Sequence, residues 1–408
     1  MKKQIITNRR LVQLGIAIVL CFLAFRFFYI SVKFRYSGKR PFIVRVRVAR
    51  DENKLKIGLK GACTILDAAT GTALDKETDI PCGTEILPVS GGIKIGGKVF
   101  DAVAIRISPR NSLSSSSRDR SITLDGTLYR GEMDIIKKGG TLDAVNRVEL
   151  EGYLKGVLPR EINPFWPFAV MKAQAIASRS FAVAEALRRK DKEYDVTADT
   201  FSQVYGGASS ERWRTGKAVD ATKGKVLEDG GKVLPGYFHS CCGGHTEDIS
   251  AVWGVRSEPL KGVKCRWCGW SPYFRWRVRV PTRTILEKLQ ENGYVLRSVD
   301  DIREGSRDGS QRLKYVRVRS RNKWFEINTG DFLDAIGRKV LRSANFRIKK
   351  YPQFYLFSGY GWGHGVGMCQ WGAFGLALRK WKAERILEYY YPGAKIVDLR
   401  EILVMRNE

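Results

Sequence analysis

A single glutamate in the middle of the chain has a setting that suits acid catalysis. Glu161 follows a short apolar-periodic turn and lies on a proline-broken segment that precedes a long predicted helix. Its neighbours Val157, Phe165 and Trp166 are apolar, and apolar surroundings raise the pKa of a carboxyl group so that it keeps its proton near neutral pH. The positive charge of Arg160 would lower the pKa of Glu161 unless its side chain points elsewhere. The alternative is an ordinary carboxylate at a helix N-terminus, where the helix dipole favours negative charge.

Polar side chains on the following helix and in the next motif are candidates for binding a sugar. Lys172 and Arg179 are seven residues apart, about two helical turns, and therefore share one face. An arginine there suits bidentate contact with a substrate carboxylate. A solvated helix face is the alternative, and for Tyr205 the alternative is the core. The candidate binding residues from this part of the chain are Lys172, Gln174, Arg179, Ser202, Gln203 and Tyr205.

The chain has three histidines, and all lie in glycine-rich or cysteine-rich segments: His239, His245 and His364. The glycines around His364, in GYGWGHGVGM, allow backbone to approach a ligand closely. No Lys-Ser/Thr pair follows them, so a phosphate-binding loop is not favoured. We expect His364 and Gln370 to line the cleft. A packed, hydrogen-bonded histidine is the alternative.

Cysteines near two of these histidines have the spacing of a metal site. Cys242 is followed about twenty residues later by the pair Cys265-x-x-Cys268. A tetrahedral zinc site with His239 or His245 as the fourth ligand is the favoured interpretation, and it would be structural because no position remains for water. Disulfides are the competing interpretation in an oxidising compartment. The same choice between a disulfide and free thiols applies to Cys63 and Cys82.

Charge and the N-terminal segment restrict the partners of this chain. Its 408 residues carry a formal charge of +29, which implies polyanionic neighbours. Four basic residues precede an apolar run from Leu11 to Ile30. This pattern predicts an uncleaved signal anchor, a single membrane span with the rest of the chain outside the cytoplasm. Export makes nucleic acid a weaker partner than an acidic wall polymer.

Strand and helix patterns alternate without the regularity of βαβ units, which predicts the α+β class. Residues 42–107 resemble a small β domain, opening with the alternating strand FIVRVRV. Residues 1–41 form the predicted tail, anchor and basic linker, and residues 122–404 the main domain. Hydrophobic residues make up 44% of the chain, enough for a sizeable core.

Three stretches together resemble the SpoIID/LytB family. They are LEGYLKGVLPREINPFWPFAVMKAQAIASRSFA (150–182), FSQVYGG (201–207) with YFHSCCGGHTEDISAVWG (237–254), and GYGWGHGVGMCQWGAFGLA (359–377). They occur in the family's order and span roughly residues 100 to 400. The metal site of the family's sporulation members, a Cys/His group just before their Q-V-Y, has no counterpart here, where Asp, Thr, Phe and Ser occupy 199–202.

The resemblance implies a lytic transglycosylase that cleaves peptidoglycan glycan strands between N-acetylmuramic acid and N-acetylglucosamine. Glu161 occupies the position of the family's essential glutamate. A glycosidase normally uses two carboxyl groups, but one suffices when the substrate's own C6 hydroxyl replaces water. No cofactor is then required for catalysis. Other family members are described as enhancers of a cell-wall amidase, so a non-catalytic wall-binding protein is the alternative.

Overall fold

Strands dominate the described residues up to 149, and the described helices follow from Leu150 onward. The computed structural model describes residues 41–59, 61–109 and 121–405. In chain order the strands are β1 Ile43–Glu52, β2 Leu55–Leu59, β3 Cys63–Asp67, β4 Ala73–Thr78, β5 Thr84–Val89, β6 Gly92–Ile95, β7 Lys98–Phe100, β8 Ala104–Pro109, β9 Ile122–Leu124, β10 Thr127–Tyr129, β11 Glu132–Lys138, β12 Thr141–Glu149, β13 Val196–Thr197, β14 Lys225–Asp229, β15 Lys232–Val233, β16 Phe238–His239, β17 Arg275–Pro281, β18 Asp301–Glu304, β19 Tyr315–Ser320, β20 Lys323–Asn328, β21 Phe346–Lys350, β22 Phe354–Tyr360, β23 Met368–Cys369 and β24 Lys395–Asp398.

The helices of the described residues are α1 Leu150–Glu161, α2 Phe168–Arg188, α3 Trp213–Asp220, α4 Ile249–Trp253, α5 Thr282–Glu291, α6 Thr329–Ile336, α7 Gln370–Ala377, α8 Ala383–Tyr390 and α9 Leu399–Met405. The predicted α+β class is therefore confirmed. None of these helices is both long enough and apolar enough to cross a bilayer. The predicted signal anchor lies outside the described residues.

The predicted small β domain is not a separate unit in the structure. One sheet has seven strands in the order β13-β1-β12-β11-β8-β3-β4, and a second has six in the order β10-β9-β2-β5-β6-β7. Both sheets contain strands from residues 42–107 and strands after 121, and the fold from Ile43 onward is one unit. Alternation along a strand shows which face is buried, but it does not identify the neighbouring strand.

Strand β12 runs directly into α1, which carries the candidate acid at its last residue. The sequence predicted a short turn and a proline-broken loop, but α1 continues through Pro159 and ends at Glu161. Proline removes one hydrogen bond of a helix, and α1 ends two residues later. Glu161 is therefore at the C-terminal end of a helix, and the alternative of an N-terminal carboxylate does not apply.

Helix α2 is the long helix predicted after Glu161, and the rest of the fold packs closely against it. It begins at Phe168 with Pro167 as its N-cap and ends at Arg188. Ala173 and Ala177 are fully buried. A Cβ at Gly236 would lie 2.3 Å from the carbonyl oxygen of Ala177, so backbone approaches this helix very closely. Around α2, α7 and α8 a core forms that includes five buried cysteines.

A second core packs between α5, α6 and the strands from β17 to β22. The two glycine-rich motifs meet in the first core, around α2, because β16 pairs in parallel with β23. An isolated bridge between Cys241 and Trp362 continues this contact. Two segments more than 120 residues apart in sequence, around His239 and His364, are thereby brought side by side.

Candidate active site

Glu161 lies at the wall of a cavity of about 400 Å³. Its Oε1 accepts a hydrogen bond from the backbone N–H of Val204 at 2.8 Å. The structure records no partner for the second oxygen among the residues it describes. The carboxyl group is thus held by one oxygen, which leaves the other available to a molecule in the cavity.

Burial raises the pKa of Glu161 to about 7, and the hydrogen bond from Val204 offsets only part of that effect. Its place at the end of α1 acts in the same direction as burial, since the C-terminal end of a helix disfavours negative charge. Arg160 is exposed and lines a different cavity with Tyr205 and Gly206. The concern that Arg160 would keep Glu161 ionised therefore does not apply.

The apolar surroundings of Glu161 differ from those that the sequence predicted. Phe165 is 84% exposed, and Trp166 packs against Trp371 with ring centroids 4.9 Å apart. Aromatic residues from distant segments surround the cavity instead, and Glu161 is the single carboxylate among the described residues that line it. The other lining residues are Phe181, Thr200, Phe201, Ser202, Val204, Tyr237, Phe238, His239, Ser240, Trp253, Trp362, Gly363, His364 and Gln370.

Three of the predicted binding residues do line this cavity: Ser202, His364 and Gln370. The Nε2 of Gln370 donates to the backbone oxygen of Glu161 at 3.1 Å and to Oε1 of Gln174 at 3.4 Å. Gln370 therefore connects the end of α1 to the start of α7. The Ser202 hydroxyl accepts the N–H of Thr197 at 3.1 Å, which ties the loop beside Glu161 to the sheet.

Both hydrogen-bonding nitrogens of His364 are used within the protein. Nε2 donates to the carbonyl of Phe238 at 3.0 Å, and Nδ1 accepts the N–H of Val366 at 3.0 Å. Burial is the main cause that lowers the pKa of His364 to about 4. The ring is a neutral, fixed part of the wall, which agrees with the alternative of a packed histidine.

His239 differs, because one of its ring nitrogens has no hydrogen-bond partner among the described residues. Its Nδ1 donates to the carbonyl of Val366 at 3.1 Å, and its buried Nε2 has no hydrogen-bond partner in the described structure. Burial holds the pKa of His239 well below its usual value. The neutral ring therefore presents Nε2 as an acceptor. The sequence pointed to His239 as a metal ligand and not as a wall of the cavity.

Four of the predicted sugar-binding residues belong to the interior instead. Arg179 is fully buried, and its Nε and Nη2 donate to the two carboxylate oxygens of Glu151 at 3.0 and 2.7 Å. Gln174 donates to the hydroxyl of Ser178 at 3.1 Å within α2. These two side chains cannot reach a sugar, because helix periodicity placed them on a face that the rest of the fold covers.

Gln203 and Tyr205 are also core residues. Gln203 accepts the hydroxyl of Tyr153 at 3.0 Å, and the Tyr205 hydroxyl donates to Asn146 at 2.9 Å. Gly156 provides the space for the ring of Tyr205, since a Cβ there would lie 2.5 Å from it. Lys172 is half-buried, with Nζ 5.8 Å from the ring centre of Phe168, and does not line the cavity.

Four cysteines lie together in the structure, one more than the sequence predicted. Cys242, Cys265 and Cys268 lie together, but the fourth member of the group is Cys369, at the N-cap of α7. Neither predicted histidine belongs to this group. The ring of His239 lies against the Glu161 cavity. His245 lines a separate cavity and its Nδ1 donates to the carbonyl of Thr246 at 2.6 Å. Cys63 and Cys82 are free thiols, and Cys63 donates to the carbonyl of Thr78.

A larger cavity of about 890 Å³ adjoins the Glu161 cavity, and both are lined by Gly363 and His364. It contains a second carboxyl group of raised pKa, because burial brings Glu247 to about 7. Glu247 accepts the hydroxyl of Ser310 and forms an ion pair with Arg312 at 3.6 Å. These contacts give Glu247 a role in holding two loops together.

Comparison with known proteins agrees with the motifs. A sequence profile described as "Stage II sporulation protein" matches residues 138–228, and one for a domain of unknown function matches residues 267–367. An uncharacterized protein of Brachyspira hyodysenteriae is 35% identical over 69% of this chain and 75% of its own. The amidase enhancer of Bacillus subtilis is 29% identical over 72% of this chain, which spans 47% of that relative.

Stage II sporulation protein D of Bacillus amyloliquefaciens is 28% identical over 64% of this chain and 77% of its own. The profile match includes all of α1 and α2, and therefore the residue whose pKa is raised. The other two motifs also contribute residues that line this cavity, among them Phe201, Phe238 and His364. Since sequence similarity and spatial convergence concern the same segments, the chain belongs to the SpoIID/LytB family.

Proposed function

We propose that this protein is a lytic transglycosylase of peptidoglycan in which Glu161 acts first as acid and then as base. The observation that carries the proposal is one carboxyl group with a pKa of about 7 in an aromatic cavity that contains no second carboxylate among its described lining. A cell-wall function agrees with the relatives named amidase enhancer and stage II sporulation protein D.

In the first step, the free oxygen of Glu161 gives its proton to the glycosidic oxygen, and the bond from that oxygen to C1 of N-acetylmuramic acid breaks. The leaving N-acetylglucosamine departs with a free hydroxyl. In the second step, the Glu161 carboxylate accepts the proton of the C6 hydroxyl while the C6 oxygen bonds to C1. The product has an anhydro end, no water is consumed, and Glu161 regains its proton.

The walls of the cavity suit a sugar chain. Phe201 is 89% exposed and Trp253 is 45% exposed, so flat apolar surface is available at the mouth for stacking against pyranose rings. Neutral histidines here add no positive charge that would lower the pKa of Glu161.

The net charge of +29 supports an anionic polymer as the partner. With the predicted signal anchor in residues 1–41, we place the protein at the cell membrane with its enzymatic part on the wall side. The predicted contact between Lys172 and an exposed substrate carboxylate stays a prediction. Arg179 is excluded from such a contact by its burial.

A non-catalytic role as an enhancer of a cell-wall amidase is the second candidate. The similarity to the amidase enhancer of Bacillus subtilis favours it. Under that role the aromatic cavity would bind glycan without cleaving it, and Glu161 would be dispensable.

Digestion of purified peptidoglycan separates the two roles. We expect the wild-type protein to release anhydro-ended fragments, detected by mass spectrometry, and Glu161→Gln to release none. Glu247→Gln is the matched control, because Glu247 has a similarly raised pKa but lines the neighbouring cavity. The enhancer role would be favoured if the wild type and both Glu variants bind glycan, none of them cleaves it, and each accelerates cleavage by an added amidase.

A further inference from the structure

Four cysteines form a buried cluster beside the candidate active site. The Sγ atoms of Cys242, Cys265, Cys268 and Cys369 all lie within 4.8 Å of one another, and each residue is at most 1% exposed. We propose that these four residues bind one structural zinc ion. This proposal is independent of the proposed function, because it concerns the assembly of the fold and not the reaction.

The distances fit a single tetrahedral ion. Zinc–thiolate bonds of about 2.3 Å at tetrahedral angles place sulfur atoms about 3.8 Å apart. Cys242 and Cys268 are 3.5 Å apart, and no pair in the group exceeds 4.8 Å. Four sulfurs that are all mutually close suit one shared ion better than two separate disulfides, since disulfides require closeness only within each pair.

Hydrogen-bond donors are directed at the sulfurs, as thiolate ligands require. The Sγ of Cys369 accepts the N–H of Cys242 and that of Gly372, each at 3.3 Å. The Sγ of Cys242 accepts the N–H of Gly244 at 3.4 Å. The hydroxyl of Tyr390 lies 3.2 Å from Cys265. Such contacts orient ligands and stabilise negative charge on sulfur in metal sites.

Close packing around the sulfurs leaves no room for a larger residue. A Cβ at Gly372 would lie 2.6 Å from the Sγ of Cys265, and one at Gly375 would lie 2.3 Å from the carbonyl oxygen of Trp267. These glycines bring α7 directly against the Cys265–Cys268 loop. Four cysteine ligands complete a tetrahedral zinc and leave no position for water, which makes the site structural and not catalytic.

The ion would connect three segments that are distant in sequence. Cys242 follows β16, Cys265 and Cys268 belong to the loop before β17, and Cys369 ends β23. Cys369 precedes Gln370, which contacts the end of α1 at Glu161. Zinc binding would therefore add to the β16–β23 pairing in holding the wall of the Glu161 cavity that the histidines occupy.

Cys241 provides an internal control. It is fully buried and adjacent to Cys242, but it is not a member of the group, and its Sγ lies 3.9 Å from the carbonyl of Cys268. A Cys241→Ala variant removes a neighbouring thiol without removing a proposed ligand. Cys265→Ser and Cys369→Ser each remove one ligand with almost no change in volume.

The full chain is purified under reducing conditions from medium that contains zinc, and its metal content is measured by mass spectrometry of the elements. We expect about one zinc per chain in the wild type and in Cys241→Ala, and a loss of at least tenfold, roughly, in the two serine variants. Replacement of zinc by cobalt in the wild type is expected to produce the absorption bands of a tetrahedral four-thiolate site.

Two measurements on the wild type keep the proposal testable if the serine variants fail to fold. Cobalt absorption and the number of thiols that react with an alkylating reagent before and after chelation do not depend on a variant. Four thiols that become reactive only after chelation support the site. Any of three results would overturn the assignment. The chain could bind neither zinc nor cobalt while its thiols are free, its mass could show two disulfides, or it could contain stoichiometric iron in place of zinc.

Discussion

Replacing Glu161 by glutamine should stabilise the protein at alkaline pH, because burial makes the ionised carboxylate costly. The folded protein has a Glu161 pKa of about 7, against an ordinary value of 4.5. Below the ordinary value both folded and unfolded chains bind the proton, and Glu161 contributes no pH dependence. As pH rises, the unfolded chain releases the proton first, so folding stability falls until the folded pKa is passed.

The size of the effect follows from the difference between the two pKa values. A difference of roughly 2.5 units at about 1.4 kcal/mol each costs the folded state about 3 kcal/mol above pH 7. Glutamine has the same shape, can still accept the Val204 N–H, and has no charge to bury. We therefore expect Glu161→Gln to exceed the wild type in unfolding free energy by about 3 kcal/mol near pH 8, and by almost nothing near pH 4.

Urea unfolding of both proteins at the two pH values measures this difference directly. Glu388→Gln, an exposed helical position, serves as the control and should show no pH-dependent difference. If the Glu161→Gln and wild-type curves differ by the same amount at both pH values, then the carboxyl is not desolvated. In that case it could not hold a proton at neutral pH, and the proposed acid catalysis would lose its basis.

Three further outcomes are expected. The kcat/KM for strand cleavage should fall about tenfold per pH unit above about pH 7, as Glu161 loses its proton, and a pH profile that stays level to about pH 9 would contradict this. Gly363→Ala should destabilise the fold by about 1–3 kcal/mol in urea unfolding. Gly363 has a φ of 111°, and a Cβ there would lie 2.8 Å from the Cβ of His239. Gly244→Ala tests backbone strain without such a contact, because Gly244 has a φ of 120° and no atom within 4 Å of an added Cβ. Arg179→Ala should cost about 3–5 kcal/mol of stability by leaving a carboxylate partner unpaired, and a raised KM with unchanged unfolding would instead restore the predicted role of Arg179 in substrate binding.

Local patterns in the sequence predicted several elements correctly. The alternating FIVRVRV segment forms β1, and the long helix predicted after Glu161 is α2. Each depends on interactions between residues near in sequence. The period of a strand and the extent of a helix are visible in the order of residues alone.

Predictions about single side chains on those elements were less successful. Lys172 and Arg179 do share a helix, but the sequence does not show that Glu151 and the end of α3 cover Arg179. Pro159 was expected to break the chain into a loop, and α1 instead continues through it. Burial depends on what packs against an element, and that partner is far away in sequence.

The choice of metal ligands shows the same limit. Spacing was enough to group Cys242, Cys265 and Cys268, because they lie within 27 residues of one another. Cys369 is about a hundred residues further along the chain, and it joins the group through the parallel pairing of β16 with β23. His239 and His245 are nearer in sequence, but each ring donates a hydrogen bond to a backbone carbonyl and lies outside the group.

By itself, the amino-acid sequence determined the α+β class, the helix that carries the motif, the family and the identity of the candidate acid. The tertiary structure decided which aromatic rings desolvate Glu161, which polar residues face the cavity, and which four thiols meet. The physical reason is that desolvation and metal geometry depend on atoms within a few ångströms, whatever their separation in sequence. Strand pairing, and not local pattern, brings those atoms together.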